Sequence, residues 1–189
     1  MATTIVIPVA TGFEEIEAVS LIDVLRRAGI KVIVAALNDR LEVQGANGIM
    51  LVADRNIDGI TSDDIDMILL PGGWGGTDLL AEDKYVQNLL KDMNNKGKDI
   101  AAICAAPFAL NTAGVLSKNF TCYPSVEEKI KLEGYDTSSN VVEDGNIITS
   151  RGPGTAICLG LYLVKKYAGE EIYEGLKAGL LADYCGDAN

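Results

Sequence analysis

Histidine is absent from all 189 residues, and the absence removes whole classes of chemistry. Without an imidazole, neither a Ser-His-Asp nor a Cys-His arrangement has its base. Catalytic zinc sites lose their commonest ligand as well, and no metal is expected. Acid–base work near neutral pH must fall to a carboxyl, thiol, lysine or tyrosine with a displaced pKa. Positive charge is also scarce, with 16 Lys and Arg against 27 Asp and Glu for a net charge of −11. A stable nucleic-acid partner or an anionic membrane surface needs clustered cations that this balance does not supply; a local basic pocket remains compatible with it. No apolar run approaches the ~18 residues of a membrane span, and no basic segment precedes the first short apolar run. Neither an anchor nor a signal peptide is expected. The four cysteines (104, 122, 158 and 185) form no CxxC pair and no framework-like spacing. Four reduced thiols in a cytoplasmic protein are the expectation.

What is present reads as a single α/β domain over residues 1–189, 48% apolar and 23% charged. "TTIVIPVA" is a short buried strand, and "EEIEAVSLIDVLRRAG" a helix with acids in its first turn and arginines in its last. "IKVIVAAL" is a second buried strand, and strand–helix–strand with apolar strands predicts a parallel sheet. "EVQGANGIMLVAD" suggests a small hairpin, "IDMILL" and "DIAAIC" two further buried strands. Helices are predicted over "TDLLAEDKYVQNLLKDMNNKG", in one or two pieces, and "AAPFALNTAGVL". "FTCY" is a possible strand, and "PSVEEKIKLEG" a helix opened by a Ser125–Glu128 capping box. "NVVEDGNIITS" is a hairpin about Asp144-Gly145, and two helices finish the chain. The fold class is α/β, a mainly parallel sheet with helices on both faces.

In such a sheet ligands gather beyond the carboxyl ends of the strands. Three unusual loops lie there: "ATGFEEIE", "PGGWGG" and "CAAP". The strand order that would make them neighbours is not legible. Cys104, between a buried strand and a helix start, has free N–H groups and partial positive charge nearby, which favour a thiolate. Small residues at 105 and 106 give a substrate room, and Pro107 suits the first helical turn. Packing alone explains a buried cysteine equally well, and Cys122, Cys158 and Cys185 have only that explanation. Gly72 and Gly73 permit backbone N–H groups to face an anion or a developing oxyanion, or simply form a turn. Neither GxxxxGK[ST] nor GxGxxG occurs, which argues against nucleotide binding. Of Glu14, Glu15 and Glu17, two are accounted for by the preference of acids for helix starts. At about 100° per residue Glu15 and Glu17 cannot share a face, so one could enter the crevice; the residues alone do not say which.

Together "FEEIEAV", "IDVLRRAGIKV", "ILLPGG", "IAAICAAP" and "ITSRGPGTA" resemble the ThiJ/PfpI superfamily over nearly the whole chain. The likeness is closest to the branch of the parkinsonism-associated protein deglycase and bacterial YajL. That resemblance implies a flavodoxin-like three-layer sandwich, a homodimer, and no metal or organic cofactor. It implies Cys104 as nucleophile, Glu17 as the protonated carboxyl bonded to its sulfur, and the N–H groups of Gly73 and Ala105 as an oxyanion site shaped by Gly72. Arg27, in "RRAG", and the "RGPGT" turn with Gly152 and Pro153 are implied to line that region near the dimer interface, with Tyr123 as a further lining residue. Trp74, after the glycine pair, is expected either to narrow the mouth or simply to pack. Two departures stand out: Ala105 where peptidase-like members carry a histidine after the cysteine, and Tyr123 where some relatives have another histidine.

The implied activity is cofactor-independent conversion of small α-oxoaldehydes, methylglyoxal and glyoxal, to hydroxy acids, with glycated side chains as further substrates. The alternative is a non-enzymatic role, an oxidative-stress sensor or holdase chaperone working through oxidation of Cys104. A peptidase is disfavoured by the missing histidine. A thiol held by a helix start is expected to titrate below a free cysteine.

Overall fold

The computed structural model describes residues 3–37 and 39–186. In chain order the first half comprises β1 (Thr4–Val9), α1 (Glu15–Arg27), β2 (Lys31–Ala36), β3 (Glu42–Gln44), β4 (Met50–Val52), β5 (Arg55–Asn56), β6 (Met67–Leu70), α2 (Trp74–Glu82) and α3 (Lys84–Asn95). The second half comprises β7 (Asp99–Ile103), α4 (Pro107–Ala113), α5 (Glu127–Ile130), β8 (Val141–Asp144), β9 (Ile147–Ser150), α6 (Ala156–Ala168) and α7 (Glu170–Gly179). Seven strands form one sheet in the order β5-β2-β1-β6-β7-β9-β8, parallel except for β8. β3 and β4 pair antiparallel as a separate hairpin.

Alternation along the central strands divides the core in two. Ile5, Ile7 and Val9 of β1, with Met67 and Leu69 of β6, face the cluster completed by α1, α6 and α7. Val6 and Ala10, with Ile68 and Leu70, face the cluster completed by α2, α3 and α4. A strand buried on both sides must be apolar throughout, which is why these segments read as continuous hydrophobic runs. The chain is therefore the expected flavodoxin-like three-layer sandwich. Pairing of β1 with β6 covers only Ile5–Met67 and Val6–Ile68, whereas β1 pairs with β2 as far as Val9–Ala36. Pro8, which has no N–H to give a ladder, follows the last β1–β6 pair. The carboxyl ends of β1 and β6 can part there, at the point where the strand order reverses.

Several local expectations give way to tertiary context. "FTCY" contributes only an isolated bridge, Phe120 to Tyr135. The Ser125–Glu128 capping box does not form: Ser125 has φ of 84°, and α5 is a single turn without a side-chain cap. α4 stops at Ala113 because Gly114 adopts the left-handed conformation. The expectation of four reduced cysteines is overturned. Cys158 in α6 and Cys185 after α7 are bonded, their Cα atoms 5.0 Å apart, while Cys104 and Cys122 are free. Spacing in the sequence hid this pair because α7 and the following turn fold Cys185 back onto α6. The Gly186 carbonyl accepts there from Tyr173 Oη at 3.2 Å and Lys177 Nζ at 2.8 Å. Among the described residues no helix is long and apolar enough to cross a membrane, and no group of three or more His, Cys, Asp and Glu could hold a metal ion.

Closing a loop of 27 residues restricts the unfolded chain by about 3–4 kcal/mol in the chain-entropy account. Cys158→Ser is therefore expected to lower the melting temperature of the oxidised protein by roughly 10 °C, and a reductant should do the same to the wild type. Equal melting temperatures with and without reductant would show that the bond does not form.

Candidate active site

Because β1, β6 and β7 are neighbours, the three loops singled out in the sequence open into one crevice. Cys104 directly follows β7 and has φ of 64°, a left-handed conformation that costs a non-glycine residue about 1 kcal/mol or more. Two backbone bonds impose it. The Cys104 N–H donates to the Ser150 carbonyl at 3.0 Å, and the Cys104 carbonyl accepts from the Tyr123 N–H at 2.9 Å. The side chain is thus turned out of the strand's alternation at an elbow, where it is 9% exposed. The N–H groups of Gly73 and Ala105 act on its sulfur and favour its charged form.

The three glutamates, indistinguishable in the sequence, have three different tasks. Glu14 caps α1, its Oε2 accepting from the Glu17 N–H at 2.7 Å. Glu15 is buried and accepts from Asn47 N, Asn47 Nδ2 and Ile49 N, which ties the β3–β4 loop to the helix. Those bonds hold its carboxyl below the usual range even though burial pushes the other way. A Cβ at Gly45 would overlap that carboxyl. Glu17, fully buried, enters the crevice, and its Oε2 accepts from the Gly72 N–H at 2.8 Å. Oε1 is buried with no hydrogen-bond partner, and the Cys104 thiol is the neighbouring side chain that acts on the carboxyl's proton affinity.

Gly72 makes this meeting possible. A Cβ there would stand 2.6 Å from both Cys104 Cβ and Glu17 Oε2, so the acid and the thiol face each other across a missing side chain. Gly73 has φ of 87°, and a Cβ on it would overlap the Gly12 carbonyl; both features require glycine.

Burial is the main cause lifting the Glu17 carboxyl, to about 7. Burial also pushes the Cys104 thiol up, with the charge and hydrogen bond of Glu17 adding to it, while the Gly73 and Ala105 N–H groups pull it down. The expectation of a thiol depressed by a helix start left out two opposing influences, the low-dielectric surroundings and an acidic neighbour, and α4 is only a seven-residue helix. Cys122 is a useful contrast: it is buried and pushed up to about 12 by burial and by Glu127.

Tyr123, Gly152 and Pro153 lie together as the sequence suggested, lining a hollow of about 220 Å³ with Pro124, Arg151, Gly154 and Thr155. Hydrogen bonds from Tyr123 to the Cys104 carbonyl, and from Cys104 to Ser150, place this hollow beside the elbow. Trp74 opens α2 directly after Gly73. Arg27 is not brought to this pocket within the chain. It lies in the last turn of α1, ~15 Å along the helix from Glu17 by helical rise, exposed and paired with Asp23 at 2.7 Å. Arg151, Gly154 and Thr155 complete the "RGPGT" turn that the resemblance implied for this region. Sequence reasoning missed Phe108 and Lys129, which pack on Trp74; nothing local marked them.

An unfolded glutamate ionises near 4.5, whereas the buried carboxyl that shares its site with Cys104 holds a proton up to about 7. Between those values the folded chain binds more protons, so this group's contribution to stability falls as pH rises. Glu17→Gln should remove that fall, flattening the pH dependence of urea-unfolding stability across the interval. The same slope in wild type and variant would mean that Glu17 ionises normally.

The pattern of the DJ-1/PfpI family matches residues 3–166. Drosophila melanogaster protein dj-1beta is 41% identical over 186 residues, covering 97% of this chain and 100% of the relative. The crystal structure of Drosophila melanogaster DJ-1beta superposes with a TM-score of 0.92 at 40% identity, covering 96% of this chain and 98% of that one. A Caenorhabditis elegans relative named glutathione-independent glyoxalase DJR-1.2 is 36% identical over 159 residues, covering 84% of each chain. Oxidized Toxoplasma gondii DJ-1 superposes with a TM-score of 0.88 at 35% identity over 95% of this chain and 98% of its own.

Proposed function

Because this chain belongs to the DJ-1/PfpI family, we propose that it is a cofactor-independent enzyme of the glyoxalase III or deglycase type, converting small α-oxoaldehydes to hydroxy acids at Cys104. The observation that carries this reading is the Glu17–Gly72–Cys104 contact: a buried acid whose pKa is raised to about 7, bonded to a thiol that two backbone N–H groups also meet. The name of the Caenorhabditis elegans glyoxalase agrees with it.

Such a pair titrates as a unit. When it carries one negative charge, a thiolate has two N–H donors and the Glu17 hydroxyl, whereas a carboxylate has the Gly72 N–H and the thiol. In this reading the larger number of donors at sulfur makes the reactive form of the pair the one with its charge on Cys104 and its proton on Glu17. Cys104 Sγ attacks the aldehyde carbon of methylglyoxal, and Glu17 protonates the resulting oxygen to give a hemithioacetal. The glutamate, now a carboxylate, removes the hydrogen on the former aldehyde carbon to form an enediol and returns it to the adjacent carbon. The product is a lactoyl thioester. Water cleaves it to lactate and regenerates the thiol, so no electrons enter or leave. Glyoxal yields glycolate by the same steps, and glycated side chains present the same hemithioacetal chemistry. Gly73 and Ala105 N–H groups stabilise the oxyanions formed on the way.

The functional unit in this reading is a homodimer. Ile16 and Val19 on α1 and Ile49, Met50 and Val52 on the adjoining hairpin are exposed apolar side chains, the kind of surface that a second copy covers. A sedimentation measurement giving a monomer at micromolar concentration would remove this element. The proposed location is cytoplasmic, which requires a Cys158–Cys185 potential below that of the glutathione pool.

A second reading, thiol-based sensing of oxidants, is favoured by the same Glu17 hydroxyl, which would donate to a Cys104 sulfinate. One experiment separates the two. Wild type, Cys104→Ala and Glu17→Gln are assayed for methylglyoxal-to-lactate conversion, and each is treated with mild peroxide for mass analysis. The enzyme reading expects turnover in the wild type, none in Cys104→Ala, and a loss of at least ~100-fold in Glu17→Gln. A wild type without turnover that gains two oxygens at Cys104 before Cys122 would establish the sensor instead.

A further inference from the structure

Trp74 is the one tryptophan of the chain, and three elements hold it at the crevice. Its ring meets the Phe108 ring edge-on with centroids 5.9 Å apart, and Lys129 Nζ lies 3.9 Å from its centroid on the face. The elements concerned are those that build the cysteine site. Trp74 follows Gly73, and Phe108, whose N–H bonds the Ala105 carbonyl, follows Ala105 by three residues. Gly73 and Ala105 are the two residues whose N–H groups meet the sulfur. The aromatic contact therefore joins, on the outside, the two backbone turns that converge on Cys104. Lys129 comes from α5, in the segment whose Tyr123 fixes the Cys104 carbonyl.

The backbone beneath the ring is equally confined. A Cβ at Gly73 would overlap the Gly12 carbonyl, one at Gly12 would stand 3.0 Å from Gly75 Cα, and one at Gly76 would stand 3.0 Å from Phe13 Cα. The start of α2 is thus pressed against the loop after β1 and has no room to swing. A ring fixed at its root by close backbone packing, on its edge by a second ring and on its face by an ammonium is a rigid wall. Its root at Gly73 and its partner Phe108 lie next to the two turns that meet Cys104, a residue 9% exposed.

We propose that Trp74, clamped by Phe108 and Lys129, is a specificity-determining lip that admits small, unbranched α-oxoaldehydes to Cys104 and excludes aryl and other bulky carbonyl compounds. This rests on the catalytic reading above for the word substrate, but the steric claim concerns the thiol alone. Trp74 touches the entering molecule, and Lys129 acts through the ring as a positioning residue.

The test measures alkylation of Cys104 by iodoacetamide and by an N-aryl maleimide in wild type, Trp74→Ala and Lys129→Met, with mass analysis at each cysteine. The ratio of aryl-maleimide to iodoacetamide rates should rise at least tenfold in Trp74→Ala and by a smaller factor in Lys129→Met, with Cys122 remaining unmodified in all three. A ratio within twofold of wild type in Trp74→Ala overturns the lip. So does a parallel rise of both reagents at Cys104 and Cys122, which would mean that the variant merely loosens the fold. A second arm compares phenylglyoxal with methylglyoxal, where Trp74→Ala should raise the kcat/KM ratio of the aryl to the methyl substrate by a similar factor. Absence of turnover with both aldehydes would overturn the enzymatic reading and leave the alkylation ratios to decide the lip.

Discussion

The absence of a side chain at Gly72 lets a buried carboxyl and a buried thiol meet, and much of the architecture serves that contact. A methyl group at this position would stand 2.6 Å from each partner, so no other residue leaves the pair intact. The same glycine gives its N–H to Glu17, which orients the acid without adding bulk. Glu17 is fully buried and Cys104 nearly so. Each is held in a site where burial disfavours its charged form, and the pair stabilises a charge only as a unit.

The fold supplies the rest by placing rigid ends next to one another. β6 and β7 deliver Gly72 and Cys104 from their adjacent carboxyl ends, and α1, which follows the neighbouring β1, brings Glu17. The strained elbow at Cys104 is tied through Ser150 to the end of β9 and through Tyr123 to the loop before α5. Side chains around the pair are divided among tasks with little overlap: Glu14 closes the helix start, Glu15 secures the hairpin loop, and only Glu17 reaches sulfur. A cluster of acids that composition explains as a helix preference proves to be one cap, one anchor and one site residue.

Much of this was legible in the sequence, for identifiable reasons. Apolar runs such as "IDMILL" can only be strands covered on both sides, so the sandwich followed from them. Missing histidine left a thiol with a carboxyl as the available chemistry, and Cys104 alone had a strand before it and a helix after it. What escaped depended on distant contacts. Strand order is set by which edges pair, which no local pattern records. Glu17 could be chosen over Glu15 only through family likeness, because the choice turns on Asn47 and Ile49 capturing Glu15 from across the chain. The Cys158–Cys185 bond arises from the return of the chain after α7. Arg27 was expected near the dimer interface on likeness alone; within the chain, helical rise carries it away from Glu17. The burial that opposes a Cys104 thiolate escaped because a helix start is visible in sequence while burial is not.

The central claim is that, once the pair carries a single negative charge, the charge rests on sulfur and the proton on Glu17. Infrared difference spectra of wild type against Glu17→Gln, recorded with the ultraviolet thiolate band at a pH just above 7, address it directly. The account predicts a protonated-carboxyl C=O stretch that disappears in the variant, together with thiolate absorbance in the wild type. A carboxylate signature accompanied by an S–H stretch would contradict it.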